Sequence, residues 1–489
     1  MPRLPPSLLR RAHTLSPLLP LILQGTRTLD SAVNELRWLR EHVNSLIPRP
    51  RGSQQEKSNG QPRPHQAPDS AQQARDRQKI LVRLCKRRAR SEPLQYILGS
   101  QPFGTLDIRC RRGVLIPRPE TEAYTAHLAK LLLGKKLHPA LLKPSGRTKK
   151  TPLRILDLCS GSGCVALLLH CLLKARKPYL AILGLDISPN AISLSRQNLR
   201  HNMRLRLLSR SARKHVQFRQ CDIFSPSLLS GNLWESGADA TKEKAAEDGV
   251  ERGEETVEER MEEREEEKRE WEVDIIISNP PYISQRAFDT ETTRSVRNWE
   301  PRLALLPSVA STRTGVDQHA GNGAEKVCKR IGNVDLEDED IFFVRLMAIH
   351  DLRNSKVCVM EVGDEEQAER VVALYNHLPL ARHNSIEFWR DHPSSPPAPG
   401  DEIIKFHKPG GHLVPFPVRG AGKIRAVVIL RDEFMPRHRH ARERYVSERY
   451  DGERHESERH MNERNMSRSH ESKRYASKRV RMEDHKPGF

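Results

Sequence analysis

Residues 273 to 282 read Val-Asp-Ile-Ile-Ile-Ser-Asn-Pro-Pro-Tyr, and the fold assignment turns on that stretch. Val273 and Ile275 to Ile277 make a short, β-branched apolar run, the pattern of a strand buried on both faces of a mostly parallel sheet. Pro280 and Pro281 end it, because a proline has no N–H for a ladder and fixes its own φ. Asn279 therefore opens a rigid loop at the carboxyl end of the strand, where open α/β sheets hold their ligands.

The loop brings together an amide oxygen (Asn279), a backbone carbonyl (Pro280) and an aromatic face (Tyr282). Two acceptors can hold both hydrogens of an –NH2 group and stabilise the positive charge that develops if that nitrogen is methylated. Tyr282 can stack on the planar group and fix its angle of approach. Asn279, Pro280 and Tyr282 are thus the candidate catalytic residues, and with Pro281 the candidate substrate-binding ones. The bland alternative is a strand followed by a proline-rich turn with no chemistry.

Other strands supply a nucleoside site. Leu153 to Val165 reads as a strand, a glycine turn and an apolar helix, in which Gly161 and Gly163 let backbone approach a ligand at a helix N-terminus. Asp157, Cys159, Ser160 and Ser162 line that turn, with Asp157 orienting it. A second strand ends in Asp186, placed to accept two ribose hydroxyls. A third leads to Asp222 and Ile223, a carboxylate and an apolar side chain for an adenine edge and face. With Asn279, four strand ends converge on one ligand.

Composition bounds the rest. Of 489 residues, 36% are hydrophobic, 30% charged and 5% aromatic, so one catalytic domain, a small helical domain and long disordered insertions are expected. The net charge of +20 favours phosphate-rich partners such as RNA or the ribosome and is also common among mitochondrial matrix proteins. Eight cysteines without Cys-x-x-Cys pairing read as reduced structural thiols, with no metal site expected. No apolar run reaches the roughly eighteen residues of a membrane span, so no membrane association is expected.

In chain order, residues 1–28 are Arg- and Leu-rich without an acid and read as presequence-like. Residues 29–92 read as a helical domain interrupted by a disordered loop at 47–77. The catalytic domain spans 93–434, with a disordered insertion at 232–270 whose Glu243-to-Glu270 portion has fourteen acids and six bases. Residues 435–489 repeat Glu-Arg every five residues, a period that fits neither helix nor strand, and read as a disordered tail.

Taken together, the Asp157 loop, Asp186, Asp222 and Asn-Pro-Pro-Tyr resemble a class I S-adenosylmethionine-dependent methyltransferase. The segments Gln95 to Gly99, Phe103-Gly104, Leu115-Ile-Pro-Arg-Pro-Glu-Thr-Glu122, Trp299 to Leu305 and Met360-Glu-Val-Gly363 resemble the release-factor glutamine methyltransferases. The resemblance implies a doubly wound, seven-stranded, mostly parallel α/β sheet. It also implies S-adenosyl-L-methionine as cofactor, held by Asp157, Cys159, Ser160, Gly161, Ser162, Gly163, Asp186, Asp222, Ile223 and Asn279. The implied substrate is the glutamine of the Gly-Gly-Gln motif of a peptide chain release factor, methylated by a mitochondrial monomer, the alternative location being the cytoplasm. Two departures stand out: the family commonly has glycine at Cys159, and residues 306–340, with candidates Gly315, Gly321 and Gly323, replace a short Gly-rich segment. The rival readings are an adenine-amino methyltransferase on DNA or RNA and a nucleic-acid-associated scaffold without catalysis. Against the first, residues 284 to 301 carry Asp289, Glu291 and Glu300 against Arg286, Arg294 and Arg297, so nucleic acid is not the expected substrate.

Neither the insertion nor the tail has the apolar content to join a core. A chain ending at Asp432 is therefore expected to fold and keep its activity. A tenfold loss of turnover on that truncation would give the tail a structural role.

Overall fold

The computed structural model describes residues 4–47, 67–134, 152–177, 179–225, 228, 233–234, 272–307, 329–331, 334–378, 384–407 and 413–431. The acidic insertion beyond residue 234, residues 308–328 with all three candidate glycines, and the Glu-Arg tail lie outside the described residues.

The amino-terminal unit is helical: α1 Pro6–Leu15, α2 Leu19–Thr26, α3 Leu29–Leu46, α4 Ala67–Ala89 and α5 Leu94–Leu98. In α3 the buried residues Ala32, Leu36, Leu39 and Val43 recur at helical spacing, one apolar stripe on a soluble helix. They pack with Ala12, Leu19, Ile22 and Leu23 of α1 and α2 and with Leu81, Leu84 and Cys85 of α4. A two-pronged ion pair between Arg88 and Glu35, at 2.7 and 3.1 Å, ties α4 to α3. Its guanidinium occupies the space that a side chain at Gly25 would fill.

Two boundaries need correcting. Residues 4–28, read as presequence-like, pack into the helical core: Ile22 and Leu23 are fully buried and Leu19 nearly so. The helical unit thus begins with α1 and not at residue 29, because Leu-rich spacing of the kind that suits a targeting helix also makes a core stripe. The loop read as 47–77 is helical from Ala67 onward. Ala, Gln and Arg there are good helix formers, but without an apolar stripe their periodicity is invisible.

Strands β1 Ser100–Phe103 and β2 Leu106–Arg109 make a hairpin that leads to α6 Pro119–Gly134. The main sheet follows: β3 Leu153–Leu158, α7 Cys164–Leu173, β4 Leu180–Asp186, α8 Pro189–Arg204, α9 Ala212–His215, β5 Val216–Gln220 and β6 Ile275–Ser278. A short pair, β7 Lys329–Ile331 and β8 Val334–Leu336, precedes β9 Val357–Glu361, β10 Asn384–His392, β11 Ile403–His407, β12 Leu413–Arg419 and β13 Ala421–Arg431. Between these lie the helices Gln285–Thr290, Arg294–Trp299, Ile341–Leu352 and Glu365–Asn376.

The sheet order is β11-β12-β10-β13-β9-β6-β3-β4-β5. β9, β6, β3, β4 and β5 are parallel, and β13 runs antiparallel between β9 and β10. These seven form the doubly wound sheet expected, and the hairpin β11–β12 extends its β10 edge. Burial alternates as a two-faced sheet requires. Ile275 and Ile277 join a core with α6 and α7, whereas Ile276 faces the helices Ile341–Leu352 and Glu365–Asn376.

Because α1 and α2 share the helical core, a chain beginning at Thr28 is expected to lose the burial of Leu19, Ile22 and Leu23. Each such side chain stabilises by about 1.5–3 kcal/mol. Thermal unfolding should show a lower melting temperature, or the protein should fail to stay soluble. Unchanged melting would show the two helices to be dispensable.

Candidate active site

Parallel register brings the carboxyl ends of β3, β4, β5, β6 and β9 into one row. Leu158 pairs with Leu185 and Ser278, Asp186 with Gln220, and Ser278 with Met360. Every candidate residue lies in or just after these ends.

At β3, the buried Asp157 carboxylate accepts a 3.2 Å hydrogen bond from the Ala166 N–H, tying the strand to the first turn of α7. Burial pushes this carboxyl up to about 8. Cys159 takes a left-handed φ of 59°, a conformation that costs most residues about 1–2 kcal/mol and glycine little; this explains the family's preference for glycine here. The two glycines divide their work. A Cβ on Gly161 (φ 54°) would meet nothing nearer than the Cys159 carbonyl at 4.0 Å, so its backbone is open to a ligand. A Cβ on Gly163 would strike Phe218 at 2.7 Å and Ser195 at 2.8 Å. Gly163, expected to admit a ligand, is instead required by packing. The Ser160 hydroxyl is buried with no hydrogen-bond partner, and Ser162 is held through its carbonyl by Asn198 Nδ2 at 2.9 Å.

At β4, Asp186 accepts from the Gly161 N–H through one oxygen and from the Ser188 N–H through the other, both at 2.8 Å. A carboxylate has about four acceptor sites, so two remain for ribose hydroxyls. Burial raises its pKa, and the two N–H donors oppose that shift. At β5, Asp222 accepts from the Phe224 N–H at 2.9 Å, closing a turn that leaves its other oxygen uncommitted among the described residues. Ile223, expected to face adenine, is buried in the core, and its carbonyl is held by Arg345 Nε at 2.6 Å. Half-buried Phe224 is the apolar group beside Asp222 at the surface. The open Gly161 backbone, the orphaned Ser160 hydroxyl and the spare acceptors of Asp186 and Asp222 fit a nucleoside such as that of S-adenosylmethionine.

At β6 the loop is held from behind. Asn279 Nδ2 donates to Thr121 Oγ1 at 3.2 Å, and Thr121 in turn donates to Glu361 Oε2 at 2.6 Å. Tyr282 donates its phenol to the other Glu361 oxygen at 3.0 Å, and its carbonyl accepts from Gln367 Nε2 at 3.0 Å. Glu361 ends β9 and is almost fully buried; burial raises its pKa, and the bonds from Thr121 and Tyr282 oppose the rise. Burial, then Glu361, hold the Tyr282 phenol well above its usual pKa, so it stays protonated. A hydroxyl carries one proton. Since that of Thr121 goes to Glu361, Thr121 can only accept from Asn279, which fixes the amide with Oδ1 turned away from Thr121. Among the described residues, neither Asn279 Oδ1 nor the Pro280 carbonyl receives a hydrogen bond.

The family-like segments interlock around this loop. Glu300 accepts from Arg118 at 2.9 Å and from the Ile116 N–H at 3.2 Å. Tyr96 donates to the Val114 carbonyl at 2.8 Å and Gln101 to the Pro117 carbonyl at 2.7 Å. Thr121, Glu361, Arg118, Glu300 and Gln367 were not singled out as site residues, although all but Gln367 lie in quoted motifs.

A doubly wound sheet with antiparallel β13 beside β9, acidic groups closing the second and third strands and Asn-Pro-Pro-Tyr after the fourth is a class I S-adenosylmethionine-dependent methyltransferase of the amino-methylating kind. Residues 181–301 match the family model for Eco57I restriction-modification methylase. The chain is 32% identical over 298 residues to "Probable MRF1 mitochondrial N(5)-glutamine methyltransferase mtq1" of Schizosaccharomyces pombe, covering 61% of this chain and 72% of that one. It is 29% identical over 307 residues to "Mitochondrial MRF1 N(5)-glutamine methyltransferase MTQ1" of Saccharomyces cerevisiae, covering 63% and 68%. Among solved structures, the N-terminal domain of human METTL16 in complex with SAH is similar at 15% identity with a TM-score of 0.30, covering 70% of this chain and 82% of that one. The chain belongs to the release factor glutamine methyltransferase family.

Asp186→Ala removes the acceptor sites expected to take a ribose and the anchor of the Gly161 loop. Losing charge-assisted hydrogen bonds of this kind is expected to weaken S-adenosylmethionine binding by about 2–4 kcal/mol. Calorimetry on the variant checks it; parent-like affinity would remove Asp186 from the cofactor site.

Proposed function

We propose that this protein methylates the side-chain amide nitrogen of the glutamine in the Gly-Gly-Gln motif of a peptide chain release factor, in mitochondria. The observation that carries the reading is the pair of unengaged acceptors, Asn279 Oδ1 and the Pro280 carbonyl, on a loop whose amide orientation Thr121 and Glu361 fix. Support for the substrate comes from the names of the two yeast relatives, both of which are also called mitochondrial.

The Gly161 backbone, Asp186 and Asp222 would hold S-adenosylmethionine, which when bound would supply an electrophilic methyl group. The chain's own residues position the acceptor. Asn279 and Pro280 take the two amide hydrogens and draw electron density toward the nitrogen as it becomes cationic, a charge that fixed dipoles stabilise without reorganising. Tyr282, pinned by Glu361 and Gln367, walls the planar amide. No side chain need take a proton before methyl transfer: the cationic amide nitrogen loses its proton to water afterwards, and both carboxylate oxygens of Glu361 are committed to holding Thr121 and Tyr282.

An amide suits the rim better than a nucleic acid. Arg118 is paired with Glu300 at 2.9 Å, and Arg302 is held by Gln285 at 3.0 Å and lies over the Phe288 ring at 4.7 Å. Arg297 donates to the Asp289 carbonyl. These cations serve the loop and do not line a phosphate track, which a flipped base would need.

Radiolabelled methyl donor is expected to mark the glutamine of a Gly-Gly-Gln domain and not DNA or RNA; label in adenine would reverse the assignment. Asn279→Ala should abolish transfer while cofactor still binds. Thr121→Val, which leaves the Asn279 amide free to flip, should lower kcat about 10²–10³-fold with cofactor affinity unchanged, and Thr121→Ser should restore it. Equal turnover in the valine variant would show that the amide is oriented by something else.

A further inference from the structure

Between Asp157 and Asp222 the chain holds eleven Lys or Arg and a single acid, Asp186. The fold separates them. Asp186 is at the carboxyl end of β4, in the cofactor site, whereas nine of the eleven cations lie in or beside the connections at the opposite end. Lys174, Arg176 and Lys177 follow α7 and precede β4; Arg200 and Arg204 end α8; Arg206, Arg210, Arg213 and Lys214 lie between α8 and β5. β4 and β5 are adjacent and parallel, with Ile182 opposite Val216, so both connections enter the sheet from its amino end.

The two connections touch. Cys171 Sγ donates to the Leu207 carbonyl at 3.6 Å, and His170 Nε2 lies 3.3 Å from His215 Nδ1. Arg176, Arg200, Arg204, Arg206, Arg210, Arg213 and Lys214 are all exposed. Among the described residues none of these seven forms an ion pair. The field is felt by the His215 ring, whose pKa is lowered by burial and then by Lys174 and Lys214. Exposed Tyr179, Leu205 and Leu207, at 46%, 48% and 37%, lie among the cations.

We propose that this amino-end surface, built from the α7–β4 and α8–β5 connections, binds single-stranded RNA. Arginine forks match phosphate oxygens two at a time, and Tyr179 offers a face on which a base can stack, the pairing of charge and aromatic that sequence-tolerant RNA sites use. A solvated basic face would be laced with acids, as this chain is overall with 63 acids to 83 bases; the two connections, residues 174–179 and 200–215, hold none. The surface lies across the sheet from Asn279, so bound RNA is a tether and not a methyl acceptor.

The test uses the full chain and a labelled oligouridylate, read by fluorescence anisotropy between about 50 and 200 mM salt, where a phosphate-binding surface loses affinity steeply. Replacing Arg204, Arg206, Arg210 and Arg213 together by Glu should weaken binding at least about tenfold and flatten the salt dependence by about one in slope per lost phosphate contact. Methyl transfer to a Gly-Gly-Gln substrate should stay at the parent level, which shows that the variant is folded and separates this inference from the assignment of the catalytic site. Should the fourfold variant not fold, Arg206→Ala with Arg210→Ala serves, and ultraviolet crosslinking of the parent should attach RNA at Tyr179. A chain ending at Asp432 should keep its affinity. Parent-like binding by the charge-reversed protein, loss of binding on tail truncation alone, or patch-dependent binding to phosphatidylglycerol vesicles but not to RNA would each overturn the proposal.

Discussion

The buried carboxylate of Glu361 is the constraint from which the rest of the site follows. A carboxylate removed from water is costly unless donors reach it, and the donors come from far away in the chain: Thr121, 240 residues distant, and Tyr282, 79 residues distant. Thr121 lies in the first turn of α6 and Tyr282 in the loop after β6, so Glu361 is satisfied only when helix, loop and strand are assembled. Its two oxygens then orient two different groups. One fixes the Thr121 proton and through it the Asn279 amide; the other pins the Tyr282 ring. The price of burying one charge is thereby converted into the alignment of an acceptor and a wall.

How much of this was legible in the sequence depended on distance along the chain. Ile275 to Ile277 announced a two-faced strand because each side chain reports its own burial, and Asp157, Asp186 and Asp222 stood at strand ends that local patterning locates. Thr121 and Glu361 lay in motifs that resembled the family, yet nothing local says that a threonine and a glutamate 240 residues apart share a hydrogen bond. Gly163 and Ile223 have packing roles that stayed hidden for a related reason. A glycine serving a ligand and one serving Phe218 look alike until Phe218 is placed, and an apolar residue after a strand can face adenine or the core. The hairpin β11–β12 was unreadable because Pro415 and Pro417 stand within β12, opposite Lys405 and Ile403, and proline argues against a strand that is not an edge.

The helical unit is joined to the site by hydrogen bonds as well as by chain connectivity. Arg88 holds Glu35 in α3 and reaches the Glu92 carbonyl, and Arg87 grips the Glu92 carboxylate. Two residues on, α5 begins, and its Tyr96 bonds Val114 at the entrance to the segment whose Arg118 pairs with Glu300. The orientation of the segment that carries Thr121 is thus supported by the helices. That gives residues 4–28 a reason to pack against them.

Charge is uneven along β4 and β5, with cations gathered at the connections into their amino ends, and helix dipoles account for only part of it. The amino termini of α7 and α8 lie at the carboxyl ends of β3 and β4, where their partial positive charge favours Asp186; their carboxyl termini favour cations such as Lys174 and Arg204. A dipole acts within the last turn, however, and rewards one or two charges per helix end. Arg206, Arg210 and Arg213 lie beyond the last turn of α8, on a connection that repels itself. Like charges gathered without counter-charges destabilise a surface, so their presence beside exposed Tyr179, at the end of the sheet opposite Asn279, points to a polyanion that relieves the repulsion when bound.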